Sequence, residues 1–397
     1  MKLQRSFAMI VVALTLCNVG CVISDTRPYT IPAHWTGSAL SVEPVVEDFS
    51  FDAMDFIAPN EGWIVGYRFL LHVRNDELTR TFVDLEDAWL RTVDFLSPDD
   101  GWVGGSRRTD SGLSEGVIWH YQNEEWLAVD LAHLGLVGWS VETVRFASPR
   151  EGWAFGLRDF DVDPDGSVVL RYDGETWNVD SYPHADDRQW MLIDMCLEAS
   201  GNGWAVGKRR NGGEEWKPLV VGVRGGTLQA VTIPDSDITT GVLNHVVCLP
   251  DGKAMASGLN GTLSEGKGVL FAYDGSWRRI DLPAALSQMH ISTVAGFSLD
   301  DFWLSLSRSG TRPLLMHFRD GHWVEVPRPV VPHGGVQNYL IGDIQFISPD
   351  EGWAIGHDAD GPGLFRGLVL HYKDGVWRNR NWNWHFWDER WFGLFGR

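Results

Sequence analysis

Apolar residues alternate with polar ones in short stretches along this chain, and the stretches recur at a nearly fixed spacing. "FIAPNEGWIVG" (56–66), "FLSPDDGWVGG" (95–105), "FASPREGWAFG" (146–156) and "FISPDEGWAIG" (346–356) are the clearest copies. Alternation at period two predicts half-buried strands on either side of a turn. In that turn Pro sets φ, the acid caps, and Gly is expected to take the positive φ that leads into the next strand. A second landmark follows each copy. "YDGETW" (172–177), "YDGSW" (273–277), "FRDGHW" (318–323) and "YKDGVW" (372–377) place a two-residue hairpin turn before an aromatic strand start. "YQNEEW" (121–126), "VRGGTL" (223–228) and "VRNDEL" (73–78) are its variants.

The Gly-Trp tryptophans are Trp63, Trp102, Trp153, Trp204 and Trp353, with Trp303 and Met255 in degraded copies. Their intervals are 39, 51, 51, 51, 48 and 50 residues, which makes seven units. Each unit reads as four antiparallel strands. The predicted fold is therefore all-β, a seven-bladed β-propeller of four-stranded antiparallel blades. Facing blades need apolar inner strands, and Met54, Val93, Val144, Met195, Val246, Ala295 and Ile344 supply them. Two residues on stand Phe56, Phe95, Phe146, Leu197, Cys248, Phe297 and Phe346. The repeated rings are expected to fill the clefts between blades. "AHWTGSAL" (33–40) and "VWRNRNW" (376–382) both read as an outermost strand and compete for one place in the ring.

Residues 1–20 read as an export signal, with Lys2 and Arg5 ahead of the short apolar run "FAMIVVALTL". Gly20-Cys21 resembles the cleavage site of a bacterial lipoprotein, which implies lipidation of Cys21 and attachment to the cell envelope, at the outer membrane. Residues 21–48 would be a tether, 49–380 the propeller and 381–397 a Trp-rich tail. The formal net charge of −20 becomes −22 once Lys2 and Arg5 are removed (−20 − 2). Such a surface repels a phosphate backbone and argues against nucleic acid as a partner.

The Ser-Pro-Asp-Glu-Gly-Trp turn followed by Asp-Gly-x-Trp resembles the BNR/Asp-box-related propellers. Within that group it is most similar to the repeats of the photosystem II stability and assembly factors, which are non-enzymatic helpers. The resemblance implies a propeller over roughly 45–380 and a binding or scaffold role. The full box S-x-D-x-G-x-T-W is never complete, and "YDGETW" comes nearest.

Candidate sites follow from the propeller. Phe49, Trp89, Trp139, Trp190, His290 and Tyr339 lie six or seven residues before the Phe-like position, at the start of inner strands. They could form an aromatic collar at a channel mouth, suited to a protein or glycan partner, or pack beneath the loops. Asp55, Asp94, Arg145, Asp194, His245, Asp343 and Gln345 alternate with the apolar positions and would face the channel. There they could bind a cation, order water or, in a glycosidase, cleave a sugar chain. "DFDVDPDG" (159–166) puts Asp161, Asp163 and Asp165 at calcium-loop spacing without the terminal Glu; the alternative is a solvated acidic hairpin. No other cofactor motif occurs. "GLSEG" (112–116) matches a nucleophile elbow as text, but "TLSEG" (262–266) repeats it in a cognate loop, so Ser114 reads as turn chemistry. Cys196 and Cys248 lie on adjacent inner strands, as a disulfide or as two buried thiols. The tail holds four Trp and three Phe, which would cover the propeller or meet a membrane or a partner. A non-enzymatic binding or assembly module is the reading these features favour, with a propeller glycoside hydrolase as the rival.

Overall fold

The computed structural model describes residues 33–35, 40–42, 51–67, 69–75, 77–80, 88–159, 161–163, 166–180, 188–234, 237–262, 266–308, 312–327, 339–358 and 367–379. From Phe51 to Asn379 the chain forms seven four-stranded antiparallel sheets, each made of consecutive strands. The inner strands are Phe51–Ala58, Ala88–Ser97, Trp139–Ser148, Arg188–Leu197, Gly241–Cys248, His290–Ser298 and Tyr339–Ser348. Each packs on the inner strand of the next blade, and the seventh packs on the first. That cyclic packing makes a β-propeller.

The competition for the last outer strand is settled by pairing. Val376–Asn379 completes blade seven, while Ala33–Trp35 pairs with Leu40–Val42 in a separate hairpin. No strand is shared between the first and seventh blades among the described residues. The ring closes through side chains. Phe56 stacks on Trp353 at 4.5 Å, and the Trp353 indole Nε1–H donates to the Pro59 carbonyl at 3.0 Å.

The hydrophobic clusters lie between blades. One joins Phe51, Met54, Phe56 and Ile64 of blade one to Trp353, Ile355 and Val369 of blade seven. Another joins Trp102 and Ile118 to Val141, Phe146 and Trp177. Burial of such rings is the main favourable term holding neighbours face to face.

Two sequence expectations are corrected here. The glycine of the Gly-Trp pair does not take a positive φ, whereas glycines of the Asp-Gly turns do, such as Gly275 (81°), Gly321 (80°) and Gly375 (80°). Gly62, Gly101, Gly152 and Gly352 instead sit opposite Phe56, Phe95, Phe146 and Phe346 in the ladder. A Cβ on Gly62 or Gly101 would lie 2.3 Å from the facing ring, so the phenyl lies flat over the space where a side chain would stand. Close approach, not backbone handedness, requires glycine there.

Blade six is the second correction. Gly296, not Phe297, pairs with the residue before Trp303, so Val294 rather than Ala295 fills the equivalent of Val93. Gly296 faces Phe302, an exchange of ring and glycine between the two strands. Phe302 is fully buried, and Phe297 is left half-buried beside Phe346.

Candidate functional site

The innermost strand of a blade is a sheet edge, and its outward N–H groups have no ladder partner. In this protein the preceding blade supplies the acceptors. Asp55 accepts from the Phe95 N–H at 2.6 Å, Asp94 from Phe146 at 2.8 Å, and Asp194 from Val246 at 3.0 Å. Across the closure, Gln345 accepts from Phe56 at 2.7 Å and Asp343 from Met54 at 3.4 Å. Between blades three and four, Thr143 donates to the Ile193 carbonyl, and between six and seven Ser305 donates to Ile341. The channel acids act as clamps between successive blades.

Arg145 is their common counter-charge. Its Nη1 donates to the Val144 carbonyl at 2.8 Å and to Thr92 Oγ1 at 3.2 Å, and its Nη2 is 3.9 Å from Asp194. Burial works against its charge, yet Asp94, Asp194, Asp55 and Asp343 hold its pKa above the usual arginine value. Burial pushes the Asp94 carboxyl up to about 7 against the pull of Arg145, and raises Asp55 and Asp343 as well. His245 lies 4.0 Å from Asp194 through Nδ1. No group of three His, Cys, Asp or Glu side chains suited to a metal ion occurs among the described residues.

Cys196 and Cys248 form a disulfide with Cα atoms 5.5 Å apart. Cys196 pairs with Trp204 as Asp94 pairs with Trp102, so a covalent bond joins blades four and five at the level where Asp94 clamps blades two and three.

The four described rings of the expected collar, Trp89, Trp139, Trp190 and His290, do not share one face. Trp139 pairs with Arg158, while Trp89 pairs with Ser106 one register step further along the ladder. A step of one residue turns a side chain to the opposite face of its sheet. Trp139 and Trp190 are accordingly buried between blades, 3% and 5% exposed. His290 pairs with Ser307, shares the Trp89 position and is half-buried. Tyr339 begins its inner strand, but its side chain lies outside the described residues, as does all of Phe49.

Trp89 alone among the four described rings is exposed, at 38%. It sits in a polar cluster at the channel mouth. Its Nε1–H donates to Asp52 at 2.9 Å, Arg91 stacks over the indole at 4.9 Å, and Tyr67 meets it edge-on at 5.7 Å. Glu142 of the next blade lies 3.4 Å from Arg91. Burial raises the Asp52 carboxyl to about 6, with Arg91 opposing the shift. The cluster combines an aromatic surface, two acids and a guanidinium across three blades.

The acidic loop is tied down by its own chain and by its neighbours. Asp159 is buried and accepts from the Ser114 N–H at 2.7 Å, while Asp161 and Asp163 are exposed and Asp165 lies outside the described residues. Ser114 opens a strand. Cys21 and the tail 381–397 also fall outside the described residues.

A repeated stack escaped the sequence reading. His72, His120, His317 and His371 lie on the Gly-Trp indoles of their own blades at 4.5, 3.8, 3.9 and 4.1 Å. Each also bonds the acid that begins the adjoining strand: Glu61, Asp100, Asp301 and Glu351. Arg171 and Arg224 take the same role over Trp153 and Trp204. The signal was present, since His precedes the turn in "HYQNEEW", "HFRDGHW" and "HYKDGVW".

No family profile matches the chain, and no curated protein matches it in sequence. Solved structures do match. A structure of YCF48 bound to a D1 peptide is 17% identical with a TM-score of 0.55, over 82% of this chain and 91% of that one. YCF48 from Cyanidioschyzon merolae is 13% identical with a TM-score of 0.52, over 83% and 97%. The β-propeller domain of the Trilobed protease from Pyrococcus furiosus, described as having an open velcro topology, is 11% identical with a TM-score of 0.53, over 84% and 98%. Likeness at these identities establishes the propeller fold.

Proposed function

We propose that this protein is a non-enzymatic binding or assembly module, exported and lipid-anchored through Cys21, that holds a protein or glycan partner at the channel mouth. The observation that carries this reading is the engagement of the channel acids. Asp55, Asp94 and Asp194 are each bonded to the edge of the next blade, and Asp343 reaches across the closure. A glycosidase needs one carboxyl to protonate the leaving oxygen and a second to attack or activate water. Carboxylates already bonded within the ring serve that chemistry poorly and serve rigidity well. The mouth cluster around Trp89, together with the loops at 157–167 and 208–217, is left as the contact surface. A bound peptide in one structural neighbour is consistent with protein binding on this fold.

The test is affinity capture from the native membrane fraction. Wild-type protein and Asp94→Asn/Asp343→Asn should retain the same partner, and Trp89→Ala/Arg91→Ala should lose it. Release of reducing ends from a glycan panel by the wild type, abolished by Asp94→Asn/Asp343→Asn, would overturn the reading. Lipidation is checked separately, by palmitate labelling that disappears in Cys21→Ala.

A further inference from the structure

Exposed apolar residues are unevenly placed on this propeller. Among the described residues seven large hydrophobic side chains are exposed, and five of them belong to blades two and three or the loop between them: Trp89, Leu127, Val137, Val162 and Val179. Val137, at 58%, is the most open of the seven. Single exposed valines are ordinary, but a connected set is not. Val137, Val162 and Val179 are connected. Val162 packs against Gly138, the neighbour of Val137, and Arg158 donates to the Val137 carbonyl at 2.9 Å. His133 of the same loop contacts the Trp177 carbonyl, two residues before Val179. Leu131, Leu134 and Leu136 lie half-buried along the loop. An apolar strip therefore crosses the outer part of these blades, with exposed Asp130, Asp161 and Asp163 in the same loops.

The strip lies on one definite face. Inner strands start, and outermost strands end, on the side that carries the long loops; the Pro-Asp and Asp-Gly turns occupy the opposite side. Chain leaving Asn379 emerges on the long-loop side, the side of the strip. Eighteen residues remain beyond Asn379 (397 − 379), and they hold four Trp, three Phe and Leu394. Extended, they reach about 60 Å at ~3.3 Å per residue. A compact body of about 330 residues has a radius of gyration of about 20 Å, so the tail can cross the face. Three arginines against one Asp and one Glu give the tail a net charge of +1 (3 − 2), opposite in sign to the loops bearing the strip.

We propose that residues 380–397 dock within the same chain across the strip formed by Val137, Val162 and Val179. Tail aromatics bury the valines, and Arg380, Arg390 and Arg397 approach the acids of those loops. The contact does not depend on the identity of any partner at the mouth.

Hydrogen exchange on the full chain and on a chain ending at Asn379 tests it. Exchange of the Leu136 and Val137 amides should quicken at least tenfold on truncation, with blade six unchanged. Val137→Ser/Val162→Ser replaces two exposed side chains without touching the core, and should quicken the Leu136 amide in the full chain alone. A photo-crosslinker at position 137 should capture a 380–397 peptide, and one at exposed position 324 should not. Three outcomes would overturn the proposal. They are equal exchange with and without the tail, protection that grows with protein concentration and so marks a second copy, and protection that appears only with phosphatidylglycerol vesicles.

Discussion

The ring of Phe56 lies 4.5 Å from that of Trp353 and within 9° of parallel, which brings the first and last blades of the propeller into one stack. Here the closure depends on this stack, on Gln345 holding the Phe56 N–H, and on Trp353 donating to Pro59.

Trp353→Ala should therefore destabilise the whole ring. The side chain is fully buried, and truncation of such a ring costs about 3–5 kcal/mol. Trp89→Ala, at the exposed mouth, should cost under about 1 kcal/mol. Urea denaturation of the two variants makes the comparison, and equal midpoints would refute it.

The disulfide closes a loop between residues 52 positions apart. Chain-entropy reasoning assigns about 4 kcal/mol to a loop of that size. Cys196→Ser/Cys248→Ser should lower the melting temperature and make it indifferent to reductant, whereas wild-type protein should melt earlier once reduced. A wild-type melt unmoved by reductant would count against a structural role.

Stability should fall as pH rises from 5 to 8. Asp94 titrates near 7 and Asp52 near 6 when folded, against 3.8 unfolded, so the folded state binds more protons across this window. Their contribution is complete below 3.8 and is lost as pH climbs through about 6 to 7. Asp94→Asn should flatten the slope of melting temperature against pH. A wild-type slope of opposite sign would contradict the assignment.

Glu351 has the opposite sign. Burial opposes its charge, but Lys373 and His371 hold its pKa below the usual carboxylate range. Its contribution is present above 4.5 and lost as pH falls further. A double-mutant cycle of Glu351→Gln and His371→Ala should return a coupling of about 0.5–3 kcal/mol, and additive losses would deny the pair.

Much of this architecture was legible because its punctuation is local. Pro-Asp and Asp-Gly turns announce strand ends within a few residues, and seven repetitions make the blade count secure. The errors arose where one residue of register decides the outcome. Counting from Phe297 rather than Gly296 misaligned blade six, and grouping Trp89 with Trp139 joined rings that point to opposite faces. The clamps were hidden for a different reason. Asp94 and Phe146 meet across a blade boundary, and no spacing within one repeat shows which edge N–H an acid will reach. The glycine beneath each Phe was visible as a residue but misread, because a cross-strand ring looks the same in sequence as a turn.

The account rests on channel acids that hold blades together, and amide exchange of Phe146 in Asp94→Ala tests this most directly. Loss of the acceptor should speed exchange at Phe146 by at least tenfold while Ala154, on the next strand and paired on both sides, stays protected. Unchanged protection at Phe146 would contradict the clamp and return Asp94 to the list of groups free for chemistry.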